Sequence, residues 1–281
     1  SDAVTLDLAN ARLKALTIDE TGDSGEDQGY GFETVNVNVN QASNIDAMII
    51  GANTREDVST ANSSQTVNIV AKATTEINQL TAVGAETINL TANADVLIAA
   101  DERNILQATN DGISTTDLRK LVITGAANVT IDGLNGHIDE KATINGDVGT
   151  TLVVDASAMT GNLKLGVQAA ADGNNSGTYA NRTDKDVSIT SGSGNDIIET
   201  YTALAGDITT GAGNDQVLIN NGGATAVWTD VEGVSTIDTG TGNDTVRAKD
   251  LLATANDVAA GNTSFGQVTA ASIVTGEGDD T

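Results

Sequence analysis

The chain of 281 residues contains no proline, no cysteine and only six aromatic residues, which are one Trp, three Tyr and two Phe. The absence of cysteine fits a protein exported through surroundings of variable redox state, although it leaves a cytosolic location open. A core with so few aromatic side chains must be thin. No apolar run is long enough to cross a bilayer, so membrane insertion is not expected.

Basic residues are also scarce, since 39 Asp and Glu outnumber 13 Lys and Arg and give a formal net charge of −26. Nucleic acids and anionic membrane surfaces require basic patches, so neither is an expected partner. This acidity suits a protein that takes up cations. The alternative, that acidity only aids solubility, stays open for charges outside the motif described below.

The residues that are abundant favour β-structure. The chain contains 30 Gly and many Thr, Asn, Ala, Val and Ile, and small or β-branched residues suit narrow, stacked strands. The spacing is 32 residues from Val35 to Val67 and 21 from Val67 to Ile88. Coils of roughly 20 residues, some lengthened by loops, describe this spacing better than a barrel and predict an all-β solenoid. Alternation of apolar and polar residues marks the strands, at residues 34–40, 66–69, 87–90, 121–124, 129–131, 142–145, 152–154 and 163–167.

One hexapeptide pattern recurs in the last third of the chain. Its copies are Ser191-Gly192-Ser193-Gly194-Asn195-Asp196, Thr210-Gly211-Ala212-Gly213-Asn214-Asp215, Thr239-Gly240-Thr241-Gly242-Asn243-Asp244 and Thr275-Gly276-Glu277-Gly278-Asp279-Asp280. An isoleucine stands two positions before each copy, and an apolar residue stands two positions after the Asp in the first three. Each copy therefore predicts a strand, a tight turn and a second strand.

The turn residues have a chemical role in this pattern. Glycine permits positive φ and a close approach of backbone to backbone. In a stack of such turns, carbonyl oxygens and one Asp carboxylate from each turn form an oxygen-only cage suited to Ca²⁺. Without the ion, carboxylates at roughly the 4.8 Å strand spacing would repel one another, so metal binding and folding should be one event.

The predicted ligands are the carboxylates of the Asp residues and the carbonyls of the turn glycines and adjacent positions. The asparagines are expected to shape the turn or to bond to backbone. The predicted set is Ser191, Gly192, Ser193, Gly194 and Asp196; Thr210, Gly211, Ala212, Gly213 and Asp215; Thr239, Gly240, Thr241, Gly242 and Asp244; and Thr275, Gly276, Gly278 and Asp280.

These residues resemble the nonapeptide Gly-Gly-x-Gly-x-Asp-x-U-x, with U apolar, of RTX (repeats-in-toxin) proteins, a calcium-binding β-helix signature. Ser191, Thr210, Thr239 and Thr275 replace the first Gly, whereas the second Gly, the fourth-position Gly and the Asp match. The second Gly advances by 19, 29 and 36 residues. The step of 19 is one coil, and the larger steps are a coil plus an insertion or two coils. A single file of ions is expected.

The resemblance is closest to bacterial RTX-type S-layer proteins. It implies a right-handed parallel β-solenoid with short helical insertions and calcium-binding turns along one edge, and it implies Ca²⁺ as cofactor and type I secretion. In that family calcium folds the solenoid and supports assembly into a lattice. We therefore expect a secreted structural protein of the bacterial cell surface that self-assembles with calcium, with contact to cell-surface polysaccharide left to flanking domains.

The chain divides into three parts by composition. Residues 1–31 form an acidic segment that joins or caps the solenoid, and its loop at 19–27 is either a further Ca²⁺ site or a solvated loop. Residues 32–170 form a motif-poor solenoid, and 171–281 form the RTX-type part. Short helices are expected at 114–120 and 251–259. Because the chain stops inside a motif, it is expected to be a piece of a longer protein.

No group of residues predicts an active site. The only histidine, His137, lies in an apparent loop, and the only tryptophan, Trp228, suits a packing role over an insertion. Acids beside a basic residue with aromatic platforms, as in carbohydrate-active β-helices, are not recognisable. The sequence therefore predicts a protein that is not an enzyme.

Two alternatives to a coat protein remain. The chain could be a calcium-stabilised segment of a large RTX adhesin, including an ice-binding form, because residues 239–244 are similar to the repeat of calcium-dependent ice-binding adhesins. A flat ice-binding array needs near-constant spacing, which the 29- and 36-residue steps would break. The other alternative is a polysaccharide-modifying enzyme fused to RTX repeats.

Overall fold

The protein is an all-β, parallel β-solenoid in the computed structural model. The structure describes residues 3–18, 32–51, 65–82, 85–99, 112–115, 118–136, 152–169, 187–200, 206–220, 236–249 and 272–281. The strands form two sheets, and all their pairings are parallel. This confirms the predicted fold class at the level of a parallel solenoid.

The first sheet contains ten strands, each of which pairs with the next along the solenoid. In order they are β1 (Ala3–Leu8), β4 (Thr34–Val39), β6 (Gln65–Ala71), β8 (Ala85–Ala92), β11 (Lys120–Gly125), β13 (Leu152–Asp155), β15 (Val187–Thr190), β17 (Gly206–Thr209), β19 (Thr236–Asp238) and β21 (Ser272–Val274).

The second sheet contains eleven strands and follows the same direction. The strands are β2 (Arg12–Leu13), β3 (Leu16–Ile18), β5 (Ser43–Ile50), β7 (Thr75–Ala82), β9 (Val96–Ile98), β10 (Gly112–Thr115), β12 (Val129–Gly136), β14 (Leu163–Ala169), β16 (Ile197–Thr200), β18 (Gln216–Asn220) and β20 (Thr245–Lys249). Both β2 and β3 pair with β5, and β9 pairs with both β7 and β12.

Alternation along the strands builds the core. Val35 pairs with Val67, and Val67 pairs with Ile88, so each of these sequence steps is one coil, as predicted. These three side chains are buried in one apolar cluster that both sheets share, while the intervening Asn and Thr side chains face outward. Mainly aliphatic side chains fill this narrow space, because facing sheets lie only about 10 Å apart.

The two long edges of the solenoid differ. At one edge, each first-sheet strand leads into the following second-sheet strand, and we name this the turn edge. We name the opposite edge the insertion edge. In the three motif steps of 19, 29 and 36 residues, the segments between a second-sheet strand and the next first-sheet strand are residues 201–205, 221–235 and 250–271, which lie outside the described residues. Those ranges contain 5, 15 and 22 residues, so their difference in length equals the difference in length between the steps of 19, 29 and 36 residues. Each larger step is therefore one coil with an insertion.

The expected helix at residues 114–120 is wrong. Ser114 and Thr115 belong to β10, and Lys120 begins β11. β10 pairs with β7 on one side and β12 on the other, and Ile113 is buried in the core. Two strand partners satisfy this backbone, whereas an isolated helix of seven residues is marginal.

Several other expectations lie outside the described residues. These are the acidic loop at 19–27, the strand at 142–145, the helix at 251–259, His137 and Trp228. The part of the chain that the structure describes has no helix of the length and apolarity needed to cross a membrane.

Candidate metal centre

The four motif turns lie one above another on the turn edge. The residues just before them pair in succession, Thr190 with Thr209, Thr209 with Asp238, and Asp238 with Val274. The strands after the first three turns pair in the same register. The structure thus brings all nineteen predicted ligand residues together in four successive coils.

Two inward-facing positions of the turn edge change character along the solenoid. The position occupied by Ser191, Thr210, Thr239 and Thr275 is named the hydroxyl column, and that of Asp196, Asp215, Asp244 and Asp280 the carboxylate column. In the preceding coils the first position is Leu90, Ile123 and then Ala156, and the second is Val96, Val129 and then Leu163. Both positions are apolar in these three coils and polar from the coil of Ser191 and Asp196 onward, whereas earlier in the chain the second position holds the buried hydroxyl residues Ser43 and Thr75.

The glycines of the turns are required by contact between coils. Gly240 and Gly242 have φ of 76° and 139°, in the region that side chains with a Cβ avoid. A Cβ on Gly240 would overlap the carbonyl oxygen of Gly211, and one on Gly242 would overlap that of Gly213. The glycines allow the turns to approach closely enough for a continuous column of oxygen atoms.

One oxygen of each Asp joins neighbouring coils. The backbone N–H of Asp196 donates to Oδ1 of Asp215 at 2.8 Å, and that of Asp215 donates to Oδ1 of Asp244 at 2.9 Å. Asp244 donates in the same way to Asp280 at 3.0 Å, and Leu163 to Asp196 at 2.7 Å. Each carboxylate is therefore fixed in orientation by the coil that precedes it.

The second oxygen of each buried Asp has no partner. Asp196, Asp215 and Asp244 are at most 1% exposed, and their Oδ2 atoms are buried without a hydrogen bond. Among the residues that the structure describes, the other buried side-chain oxygens in this state are the amide oxygens of Gln65 and Asn78, away from this edge. An unpaired buried charge is costly, so each Oδ2 requires either a proton or a cation.

Burial also shifts the acidity of this column. Burial raises the pKa of Asp196, against the opposing effects of the hydrogen bond from the Leu163 N–H and of the nearby Ser191 hydroxyl. Burial, together with the charges of Asp196 and Asp244, raises the pKa of Asp215 to about 6. The charged column is thus unfavourable by itself and favourable with a positive ion beside it.

The asparagines of the motif bond to backbone, as predicted. Oδ1 of Asn195 accepts the N–H of Asn214 at 2.7 Å, and Oδ1 of Asn214 accepts the N–H of Asn243 at 2.8 Å. The same bonds extend into the motif-poor half, through Asn162, Asn128 and Asp95. Sequence reasoning missed this extension, although the shared Gly-Asn of residues 161–162 and 194–195 was a usable signal.

Several carbonyls expected to be ligands already accept backbone hydrogen bonds. The N–H of Ala212 donates to the Gly192 carbonyl at 3.3 Å, and that of Thr241 donates to the Gly211 carbonyl at 2.9 Å. Glu277 donates to the Gly240 carbonyl at 3.2 Å. A carbonyl oxygen has two lone pairs, so these atoms keep one lone pair for a further partner.

The donor set fits a hard cation between successive coils. Among the residues that the structure describes, no three acidic or histidine side chains converge on one point. A cation at this edge would instead be held by carboxylates of successive coils, such as Asp196 and Asp215, together with carbonyl and hydroxyl oxygens. Oxygen-only ligands suit Ca²⁺, and the orphaned Oδ2 atoms supply the unsatisfied negative charge.

Comparison with known proteins gave no assignment. No protein-family model, curated protein or solved structure matched the chain.

Proposed function

We propose that this chain is a calcium-dependent structural protein of the RTX type, a component of a bacterial surface coat. The observation that carries the proposal is the buried carboxylate column, in which Asp196, Asp215 and Asp244 each keep one oxygen atom without a partner. Calcium between the coils would neutralise this column and convert repulsion between coils into attraction.

A structural role follows from the shape of the fold. Two continuous parallel sheets run the length of the described residues and make a repetitive, stiff body. A coat protein needs such a body and edges that meet neighbouring molecules. The net charge of −26 keeps molecules apart, and calcium would screen or bridge these surfaces during lateral assembly.

The remaining parts of the proposal rest on the motif. As an RTX-type protein, the chain would be secreted through a type I system, fold in external calcium and assemble with copies of itself. Any contact with cell-surface polysaccharide would be made by flanking domains. We propose no catalytic role, and cleavage of acidic polysaccharide by the purified chain would contradict that position.

The first test concerns calcium and folding. Far-ultraviolet circular dichroism and thermal melting of the purified chain should show less β signal and a lower Tm in EGTA than in millimolar Ca²⁺. The triple variant D196N/D215N/D244N is the matched control, because it keeps the Oδ1 acceptors and loses the charges. The variant should not respond to calcium. An unchanged β signal and Tm of the natural chain in excess EGTA would overturn the proposal.

The second test concerns assembly. Addition of Ca²⁺ should produce sheets or large oligomers, seen by light scattering and electron microscopy, and EGTA should dissolve them. The triple variant should stay monomeric at the same calcium concentration. A chain that binds calcium yet stays an extended monomer would be an adhesin segment instead of a coat protein.

The adhesin alternative gains support from one observation. The extra residues of the 29- and 36-residue steps lie in sequence between a second-sheet strand and the next first-sheet strand, and the turns on the turn edge keep an even succession of asparagine bonds. The objection that these steps interrupt a regular array therefore does not apply to the turn edge. Thermal hysteresis of the calcium-loaded chain tests the ice-binding form of this alternative.

A further inference from the structure

The hydroxyl column lies beside the carboxylate column and is equally buried. Ser191 is 3% exposed, and Thr210 and Thr239 are fully buried. Hydroxyl groups in an aliphatic core must be hydrogen-bonded, because an unpaired buried hydroxyl is destabilising. The hydrogen-bond partners of these hydroxyls therefore show which groups the hydroxyl column holds in place.

Each hydroxyl links its own coil to the next one. Ser191 Oγ donates to the Thr210 carbonyl at 3.0 Å, and Thr210 Oγ1 donates to the Thr239 carbonyl at 3.1 Å. Thr239 Oγ1 donates to the Thr275 carbonyl at 3.3 Å. A hydroxyl has one proton and two lone pairs, so each oxygen keeps acceptor capacity after this bond.

The hydroxyls also act on the carboxylates. The side chain of Ser191 favours the charged form of Asp196, and that of Thr210 favours the charged form of Asp215. The hydroxyls of Ser191 and Thr210 thus lie beside the carboxylate of their own turn and donate to a backbone carbonyl of the next turn.

The fold itself does not need hydroxyls at this position. Coils that precede the motif place Ile123 and Ala156 there, and both are buried in the same core cluster. At this position, the first hydroxyl residue occurs in the coil that contains the first aspartate of the carboxylate column. All four motif coils have both residues. The residue type changes at both positions in the same coil. We therefore relate the hydroxyl column to the carboxylate column and not to packing of the core.

We propose that Ser191, Thr210 and Thr239 are positioning residues for the cation file, which fix the distance between successive coils and orient the carboxylates. This inference rests on the proposed function and adds a determinant of affinity and selectivity to it. Mg²⁺ demands short bonds of about 2.0–2.1 Å in strict octahedral geometry, whereas Ca²⁺ accepts about 2.3–2.6 Å and variable geometry. Coils held at a set spacing by hydroxyl bonds therefore favour Ca²⁺ over Mg²⁺.

The test compares three single variants of the full chain. Thr210→Val removes the hydroxyl and keeps the β-branched shape, Thr210→Ser keeps the hydroxyl, and Thr209→Val is the control at the neighbouring outward-facing position. Calcium and magnesium affinities are measured by isothermal titration calorimetry. Thermal melting is measured in EGTA and in saturating Ca²⁺.

Thr210→Val should bind Ca²⁺ about tenfold more weakly, the usual effect of removing a group that orients a metal ligand. Its ratio of calcium to magnesium affinity should fall, and its calcium-induced rise in Tm should shrink. Thr210→Ser and Thr209→Val should resemble the natural chain in all three measurements. If Thr210→Val does not fold, Thr239→Val makes the same test one coil further on.

Three results would overturn the inference, and they differ from a failure of the proposed function. Unchanged calcium affinity in Thr210→Val would overturn it, as would an unchanged preference for calcium over magnesium. An equal loss of Tm with and without calcium would also overturn it, because the hydroxyl would then serve stability alone. If the natural chain bound no Ca²⁺, the proposed function would fail first and this inference with it.

Discussion

The residues of the carboxylate column have two separate tasks. Oδ1 of Asp215 accepts a backbone N–H from the preceding coil, and Oδ2 is buried without a partner. The first oxygen stabilises the stack in any ionic condition. The second destabilises it unless a proton or a cation is bound, so one side chain makes the fold depend on its environment.

A comparison of two aspartates tests the stacking order. Asp215→Ala should weaken calcium affinity more than Asp280→Ala, because Asp215 lies between two motif coils and is 1% exposed, whereas Asp280 is half-buried. Each substitution removes one backbone-accepting oxygen, so that loss is matched. Equal calcium titrations of the two variants would contradict the stacking order.

The raised pKa of Asp215 predicts how stability depends on pH without calcium. The carboxyl has a pKa of about 6 in the folded chain and about 3.9 when unfolded. The protonated form therefore contributes stability that is complete below about pH 4 and is lost as the pH rises through 6. In EGTA, the free energy of unfolding should fall by roughly 2 kcal/mol across this range relative to Asp215→Asn.

Asp215→Asn is the control for that experiment because it keeps the Oδ1 acceptor and cannot ionise. Urea unfolding at several pH values in EGTA measures the difference between the two chains. Parallel pH profiles for the natural chain and the variant would show that Asp215 does not titrate with a raised pKa.

At the scale of elements, side-chain hydrogen bonds connect each turn to the coil before it and to the coil after it. Asp oxygens accept N–H groups from the preceding coil, whereas Asn oxygens accept them from the following coil. Each turn is thereby tied to both neighbours, in addition to the strand pairing. The Asn bonds also join motif-poor coils, so we expect them to stabilise the solenoid independently of the proposed metal site.

Removal of one Asn bond tests this division of roles. Asn214→Ala leaves the N–H of Asn243 without its acceptor and should destabilise the chain by about 1 kcal/mol. The loss should be equal in EGTA and in calcium, because the Asn side chain does not face the cation. Asn162→Ala, in the motif-poor half, is the matched variant and should behave alike. A loss seen only in calcium would assign Asn214 to the metal site.

The described coils divide into two lengths that we expect to differ in stability. The coils before Asp196 have uncharged residues at the two inward-facing positions of the turn edge, and coils from Asp196 onward carry the carboxylate column. Repeat proteins are stabilised mainly by contacts between neighbouring repeats, so we expect the two lengths to respond to calcium separately. The first length offers a folded edge on which the first motif coil stacks, through the bond from Leu163 to Asp196.

Hydrogen exchange tests this division. In EGTA, amides of β4 to β12 should stay protected, whereas those of β15 to β20 should exchange faster, and calcium should slow exchange in the second group only. Mass spectrometry of peptic fragments resolves the two groups. Equal protection of both groups in EGTA would show that the carboxylate column does not destabilise the stack.

Sequence patterns alone were enough to predict many of the strands and the motif turns. Alternation at residues 34–40 and the repeated Gly-x-Gly-Asn-Asp predicted a parallel stack with aspartates on one edge, and the structure confirms the stack. They failed at residues 114–120, where a short polar segment resembles a helix. Its partners β7 and β12 are distant in sequence, so local pattern could not reveal them.

The sequence by itself determined the repeating unit, because glycine, alternation and a single Asp per copy are local properties that act within one coil. Only the tertiary structure decided what neighbouring coils do to one another. It stacked the motif turns in one register, gave each buried Asp one bonded and one orphaned oxygen, and aligned the hydroxyls of Ser191, Thr210 and Thr239 in a column. These properties depend on register between segments 19 to 36 residues apart, which local sequence does not encode.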